Sequence, residues 1–193
     1  MAMILVFFGM TASGKSTLAQ ACAVNYNVPH HNTDRVRKEL AGLTATTPSP
    51  DAIGCGIYSH ELSAKTYDAL LQRAETDLLA GETTLVLLDG SYSTLAERER
   101  VRILAGELGV DVRFLYCWCS REETRRRLQL RAEDPSAVSD GRWEIYLHQL
   151  HAFEQPLAGE INVLRCNTEA KPEDLLAQLV QTGLLPQNAG GSP

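Results

Sequence analysis

A three-layer α/β domain built on a parallel sheet is the fold this sequence predicts, and three observations carry it. Five short apolar segments read as strands, helical patterns separate them along the chain, and the first strand runs into a glycine-rich turn that opens a helix. Strands alternating with helices imply right-handed crossovers and a sheet covered on both faces. Ligands of such sheets gather beyond the carboxyl ends of the strands.

Residues 3–8 (MILVFF) form a continuous apolar run, the pattern of a strand buried on both sides. A helix is expected from Gly14 to about Val24. Val28 to His31 reads as a short second strand, leading through Asn32 and Thr33 into DRVRKELAGL, where Val36 and Leu40 lie four apart before Gly42. Residues 44–53 (TATTPSPDAI) carry two prolines and no periodicity, and read as a loop able to move over a site. From Ser59 to Ala80 the apolar residues Leu62, Leu70, Leu71, Ala74 and Leu78 share a helix face, which Gly81 can end in the left-handed conformation.

Residues 84–89 (TLVLLD) read as another buried strand, followed by a charged helix over about Leu95 to Leu108 and a strand from Val112 to Cys117. Glu122 to Arg131 is a strongly basic helix. Ser139 can cap a helix carrying Trp143, Tyr146, Leu147 and Leu150, with Pro156 marking its end. A last strand is expected over Ile161 to Arg165, and Pro172 fits the first turn of a terminal helix reaching about Thr182. The domain is thus expected to span residues 1–183, with a lid over about 120–138 and a disordered tail from 184 to 193.

Composition narrows the function classes. The 193 residues are of single-domain length, and 44% apolar against 22% charged residues can bury a sizeable core. Twenty-four acidic against eighteen basic residues leave a formal charge of −6, which disfavours non-specific coating of nucleic acid or anionic membranes. The five cysteines show no CxxC pair and no zinc spacing, so a reducing, cytoplasmic location is expected. No apolar run approaches the roughly 20 residues of a membrane-spanning helix. The opening apolar run lacks a basic flank and a cleavage site, and reads as core strand.

Gly9 to Ser16 (GMTASGKS) matches G-x-x-x-x-G-K-[ST] in full, between an apolar strand and a helix. In that setting successive backbone N–H groups and a helix N-terminus converge on one anion. The candidate nucleotide-binding residues are Gly9, Thr11, Ala12, Ser13, Gly14, Lys15, Ser16 and Thr17. Gly9 and Gly14 allow close approach of backbone to phosphate, and Lys15 is expected to reach the β- and γ-phosphates. The Ser16 hydroxyl is a candidate Mg²⁺ ligand, and Thr17 can bond the α-phosphate.

The acceptor side rests on other residues. No NKxD guanine-reading motif is present, and the chain is compact for a motor ATPase. Asp34 and Arg37 form a DxxR pair whose spacing puts both on one helix face. A carboxylate there can take the proton of an acceptor hydroxyl while the arginine orients the acceptor; the rival reading is a capping aspartate beside a solvated arginine. The basic helix holds Arg121, Arg125, Arg126, Arg127 and Arg131, of which Arg127 and Arg131 lie four apart and are the candidates for forks on the transferring phosphoryl group. Arg125 and Arg126 can pair with Glu122 and Glu123 on a solvated face.

Asp89 ends its strand where a carboxylate can hold a Mg²⁺-bound water or the acceptor, or else cap the next helix. Tyr58, in the stretch YSHE beside the loop, is a candidate lining residue of the acceptor pocket. Cys117 and Cys119 read as core thiols, and His148 and His151 as surface histidines.

The stretches GMTASGKSTLA, TDRVRKELAG, GIYSHELSAKTY and LLDGSYSTLAERER resemble the small P-loop kinases related to polynucleotide 5′-kinases, zeta-toxin-like kinases and gluconate or shikimate kinases. The likeness covers about residues 3–168 and is greatest to ATP-binding domains often found behind an aminoglycoside-phosphotransferase-like domain. It implies strand order 2-3-1-4-5, a mobile lid, and ATP with Mg²⁺. It also implies a P-loop lysine and hydroxyl at Lys15 and Ser16, an acceptor-activating pair at Asp34 and Arg37, a strand-end aspartate at Asp89, and lid arginines at Arg127 and Arg131. Where polynucleotide kinases often have Asp-Thr-Asn or Asp-Ala-Thr, this chain has Asp89-Gly90-Ser91. The expected activity is transfer of the γ-phosphoryl group of ATP to a hydroxyl of a small molecule or nucleotide. A 5′-hydroxyl polynucleotide kinase, which the net acidity disfavours, and an ATP-binding switch without a small-molecule acceptor are the alternatives.

Overall fold

The computed structural model describes residues 2–47, 55–134, 138 and 142–187. Five strands, β1 (Met3–Phe8), β2 (His30–Asn32), β3 (Leu85–Gly90), β4 (Asp111–Trp118) and β5 (Val163–Asn167), form one parallel sheet in the order β2-β3-β1-β4-β5. Between them run α1 (Lys15–Tyr26), α2 (Thr33–Leu40), α3 (His60–Ala80), α4 (Leu95–Leu108), α5 (Arg121–Ala132) and α6 (Trp143–Ala152), and α7 (Pro172–Gln181) follows β5. A short 3-10 turn, Gly56–Tyr58, leads into α3.

The period of two in β1 divides the core. Ile4, Val6 and Phe8 point into one layer with Leu70 and Ala74 of α3 and Val101 and Ala105 of α4. Leu5 and Phe7 point into the other, against Leu18 and Cys22 of α1 and Leu175 and Leu179 of α7. Burying each such side chain contributes about 1.5–3 kcal/mol, so a central strand apolar on both faces is held by both layers. Register then aligns the strand ends: Phe8 sits opposite Gly90 and Tyr116, and Asn32 opposite Asp89. The glycine-rich turn, the β3 terminus and the start of α2 therefore meet beyond the carboxyl ends of the strands.

Local signals set most boundaries. Ser59 caps α3 by accepting from Leu62 N, and Gly81 ends it at φ 74, as its position predicts. Thr94 and Glu97 form a capping box at the start of α4. Three expectations need correction. The second strand is His30–Asn32 rather than Val28 to His31, set by its register with Leu87, Leu88 and Asp89 of β3. The last strand begins at Val163 rather than Ile161, because Ile161 is exposed and Asn162 turns the chain at φ 60. The fold also continues past residue 183: Leu184 and Leu185 are 2% exposed, pack in the α1–α7 core, and donate their amides to Leu179 O. Ser139, expected to cap the sixth helix, lies outside the described residues, as do residues 48–54 of the expected loop. No helix among the described residues is long and apolar enough to cross a membrane.

Candidate active site

Glycine is required in the turn between β1 and α1 for a reason beyond phosphate approach. Gly9 (φ 145) and Gly14 (φ 83) adopt conformations that side chains rarely take, and a Cβ on either would collide with neighbouring elements. At Gly9 it would lie 2.3 Å from the Cys117 carbonyl oxygen of β4; at Gly14, 2.6 Å from Thr168 Oγ1 and 2.7 Å from Arg127 Nη1. Between them Ser13 N donates to Met10 O (3.2 Å) and Ala12 is left-handed at φ 57. Lys15, Ser16 and Thr17 open α1, whose first turn carries no acidic residue, so its positive end is uncompensated. Lys15 Nζ rests 3.5 Å from Met10 O, folded over the turn.

A cleft of about 370 Å³ opens beside this turn, and its walls bring together Lys15, Ser16, Thr17, Asn32, Asp34 and Arg131. A larger groove of about 700 Å³, along α1 and the end of α3, contains none of the glycine-rich turn and is not where the phosphate-binding chemistry lies.

Asp34 sits in the first turn of α2 and is bonded to Arg37 (Oδ1 to Nη1, 3.1 Å). The capping reading fails on both counts. Asn32 is the cap, its Oδ1 accepting from Arg35 N at 3.0 Å, and Arg37 is only 8% exposed. The Arg37 guanidinium lies over the Tyr58 ring, 5.0 Å from its centroid, and its Nε is buried with no hydrogen-bond partner among the described residues. His60, by contrast, is exposed.

Asp89 is fully buried at the end of β3 and is not a helix cap, since Thr94 caps α4. Its Oδ2 accepts from Asn32 Nδ2 (2.6 Å) and pairs with His30 Nε2 (3.4 Å), while Oδ1 has no partner among the described residues. Burial alone would raise its pKa; the His30 bond and the charge of Lys15 outweigh that and hold the carboxyl below its ordinary value. An orphaned carboxylate oxygen beside Lys15 and the start of α1 suits a hydrated Mg²⁺ carried in by a nucleotide. Among the described residues no group of three His, Cys, Asp or Glu forms a dedicated metal cage, which is compatible with such a carried ion.

The two lid candidates occupy different places. Arg131 lines the cleft; burial lowers its pKa, opposed by the nearby charge of Asp34. Arg127 lies behind the turn, donating to Thr168 O (2.6 Å), Thr168 Oγ1 (3.0 Å) and Ala12 O (3.3 Å), and paired with Glu123 (2.7 Å). Arg126 also pairs with Glu123, and with both arginines the Glu123 carboxyl is lowered to about 2. His148 and His151 are exposed, and Cys117 is buried.

Three contributors escape a reading of local pattern: Asn32, Thr168 and Gln149. Asn32 is legible as a cap but not as a partner of Asp89, which depends on the β2–β3 register. Thr168 Oγ1 donates to Ser13 O at 2.6 Å, and Gln149 Oε1 accepts from Thr11 N at 2.7 Å; no sequence signal links positions so far apart.

Sheet order, glycine-rich turn and flanking layers define a P-loop kinase fold. The chain belongs to the family whose model, described as an AAA domain, matches residues 4–156. Uncharacterized proteins of Mycobacterium bovis and Mycobacterium tuberculosis are 32% identical over 99 residues, 51% of this chain and 20% of theirs. The chain thus spans about a fifth of the length of these curated relatives. Solved structures share the fold: a sugar kinase from Janibacter (TM-score 0.66, 18% identity, covering 98% of this chain and 99% of that one) and a gluconokinase from Sinorhizobium meliloti (0.59, 18%, 95% and 95%). The Mycobacterium tuberculosis APS kinase in complex with AMPPNP and APS matches at TM-score 0.64 and 17% identity, over 95% of this chain and 98% of that one.

Proposed function

We propose that this protein is an ATP-dependent phosphotransferase that moves the γ-phosphoryl group to a hydroxyl of a small molecule or nucleotide. The observation that carries the reading is that Lys15, Asp34 and Arg131 line one cleft beside the glycine-rich turn. The fold it shares with a sugar kinase, a gluconokinase and an APS kinase, the last in complex with AMPPNP, supports nucleotide binding.

The turn's amides and Lys15 grip the triphosphate. Asp34 accepts the proton of the acceptor hydroxyl as its oxygen bonds the γ-phosphorus and the bond to the β-phosphate oxygen breaks, releasing ADP. Arg37, stacked on Tyr58 and bonded to Asp34, orients the carboxylate and the acceptor. Arg131 offers a fork to the equatorial oxygens of the phosphoryl group in transit. Arg127 acts from behind, bracing the turn against Thr168. Ser16 and Asp89 would hold Mg²⁺, which supplies neutralisation of phosphate charge.

The test is a screen of metabolite and oligonucleotide acceptors with γ-labelled ATP. We expect label on an alcohol, and Asp34→Ala to lower transfer by about 10²–10⁴-fold with ATP affinity changed less than about twofold. An Asp34→Ala protein that turns ATP over at the wild-type rate would point instead to a nucleotide-controlled switch, and label only on oligonucleotide 5′ ends to a polynucleotide kinase.

A further inference from the structure

Ala12 is the one non-glycine residue of the phosphate turn with positive φ, at 57, and it is held from every side. Its side chain is buried against Leu128 of α5 and Tyr146 of α6. Its carbonyl oxygen accepts from Arg127 Nη1 (3.3 Å) and Cys119 Sγ (3.7 Å). The amide one residue earlier, Thr11 N, donates to Gln149 Oε1 at 2.7 Å. A strained backbone conformation persists only where its surroundings over-determine it. Gln149 is the part of this clamp that bonds a main-chain N–H of the turn from α6, three residues beyond Tyr146 on the same helix face.

We propose that Gln149 is a positioning residue of the triphosphate cradle: by accepting the Thr11 N–H it holds the Thr11–Ala12 peptide in the left-handed turn that aims the following main-chain amides at the anion. The proposal rests on the nucleotide-binding reading above and adds to it a dependence of that site on α6. Thr11 itself then serves the cradle through its amide, turned toward Gln149 and away from phosphate. Sequence pattern pointed to Thr11 as a direct nucleotide contact; the bond to Gln149 gives its amide a different partner.

The experiment measures ATP affinity of the full chain, with ADP release and acceptor transfer left out of the readout. Gln149→Met keeps the length of the side chain and removes the acceptor oxygen, and is expected to weaken ATP binding about five- to tenfold, the cost of losing one backbone bond. Ala12→Gly relieves the strain at positive φ, because glycine adopts that conformation freely. Ala12→Gly serves as the reference: adding Gln149→Met to it should weaken ATP binding less than about twofold, against the five- to tenfold loss in the wild-type background. A packing role for Gln149 in α6 would not be repaired by glycine at position 12. Wild-type affinity in Gln149→Met, or the same loss from Gln149→Met whether position 12 is alanine or glycine, overturns the proposal. Amide exchange on the unmodified chain tests the bond without any variant: Thr11 N–H should exchange slowly, and exchange at the free-peptide rate overturns it. Acceptor transfer can fail while these results hold, so failure of the transfer reading is distinguishable from failure of this proposal.

Discussion

Asn32 uses both ends of one amide: Oδ1 caps α2 and Nδ2 bonds the buried Asp89. One side chain thereby sets the start of the helix bearing Asp34 and the orientation of the strand-end carboxylate. Replacing it with alanine costs about 1 kcal/mol for the cap and about 1–3 kcal/mol for the buried oxygen left short of a donor. A thermal melt of Asn32→Ala should therefore fall by roughly 2–4 °C per kcal/mol lost. Asp89 also predicts a pH dependence. Its folded pKa is lowered, so its contribution to stability is complete above the unfolded value of 3.8 and disappears as pH falls through the lower folded value. The stability gap between wild type and Asp89→Asn, followed by urea melts, should shrink as pH falls through that acid range. Glycines separate in the same way. Gly14→Ala meets Thr168 and Arg127 and should abolish ATP binding, whereas Gly81→Ala meets nothing and should cost only the left-handed strain, about 1 kcal/mol.

At the scale of elements, α4 anchors the loop that follows β3 and bonds the phosphate turn at Gly9. Arg98, 1% exposed, donates to Glu160 through Nε (2.7 Å) and Nη2 (3.0 Å) and to Tyr92 O through Nη1 (2.9 Å). Tyr92 is left-handed at φ 40, its amide bonded to Tyr67 OH, and the preceding Ser91 offers its carbonyl to Gly9 N. Arg98→Met leaves a carboxylate and a carbonyl buried with fewer donors and should cost about 3–5 kcal/mol. Adding Glu160→Leu should recover part of that loss, since an apolar pair replaces buried charges well. A denaturant-melt cycle over the four proteins measures the coupling, and strict additivity of the two changes would contradict it. None of this was legible in LLDGSYSTLAERER, where Arg98 reads as one more charge on a solvated helix face. Its burial follows from Glu160 arriving across the fold from beyond α6.

For the whole molecule, the layered core sorts the cysteines. Cys22, Cys117 and Cys166 are buried, and burial pushes their thiols up, Cys22 to about 12; Cys55 is exposed. Maleimide at neutral pH should modify Cys55 within minutes and the three buried thiols only at the rate of global unfolding. Fast labelling of Cys117 would mean that the central sheet opens far more readily than its packing implies.

Contiguous pattern was enough to reveal the alternating strands and helices, the glycine-rich turn and the DxxR pair, because each depends on residues a few positions apart whose backbone geometry is local. It was not enough to separate Arg127 from Arg131, to turn the tail from Leu184 and Leu185 into core, or to find Asn32, Thr168 and Gln149 at the site. Those assignments depend on strand register and on layers closing over the sheet, which bring together groups up to 155 positions apart. A hydrogen bond of under 3 Å between such groups has no signature in spacing; it exists only once burial has removed water as the competing partner.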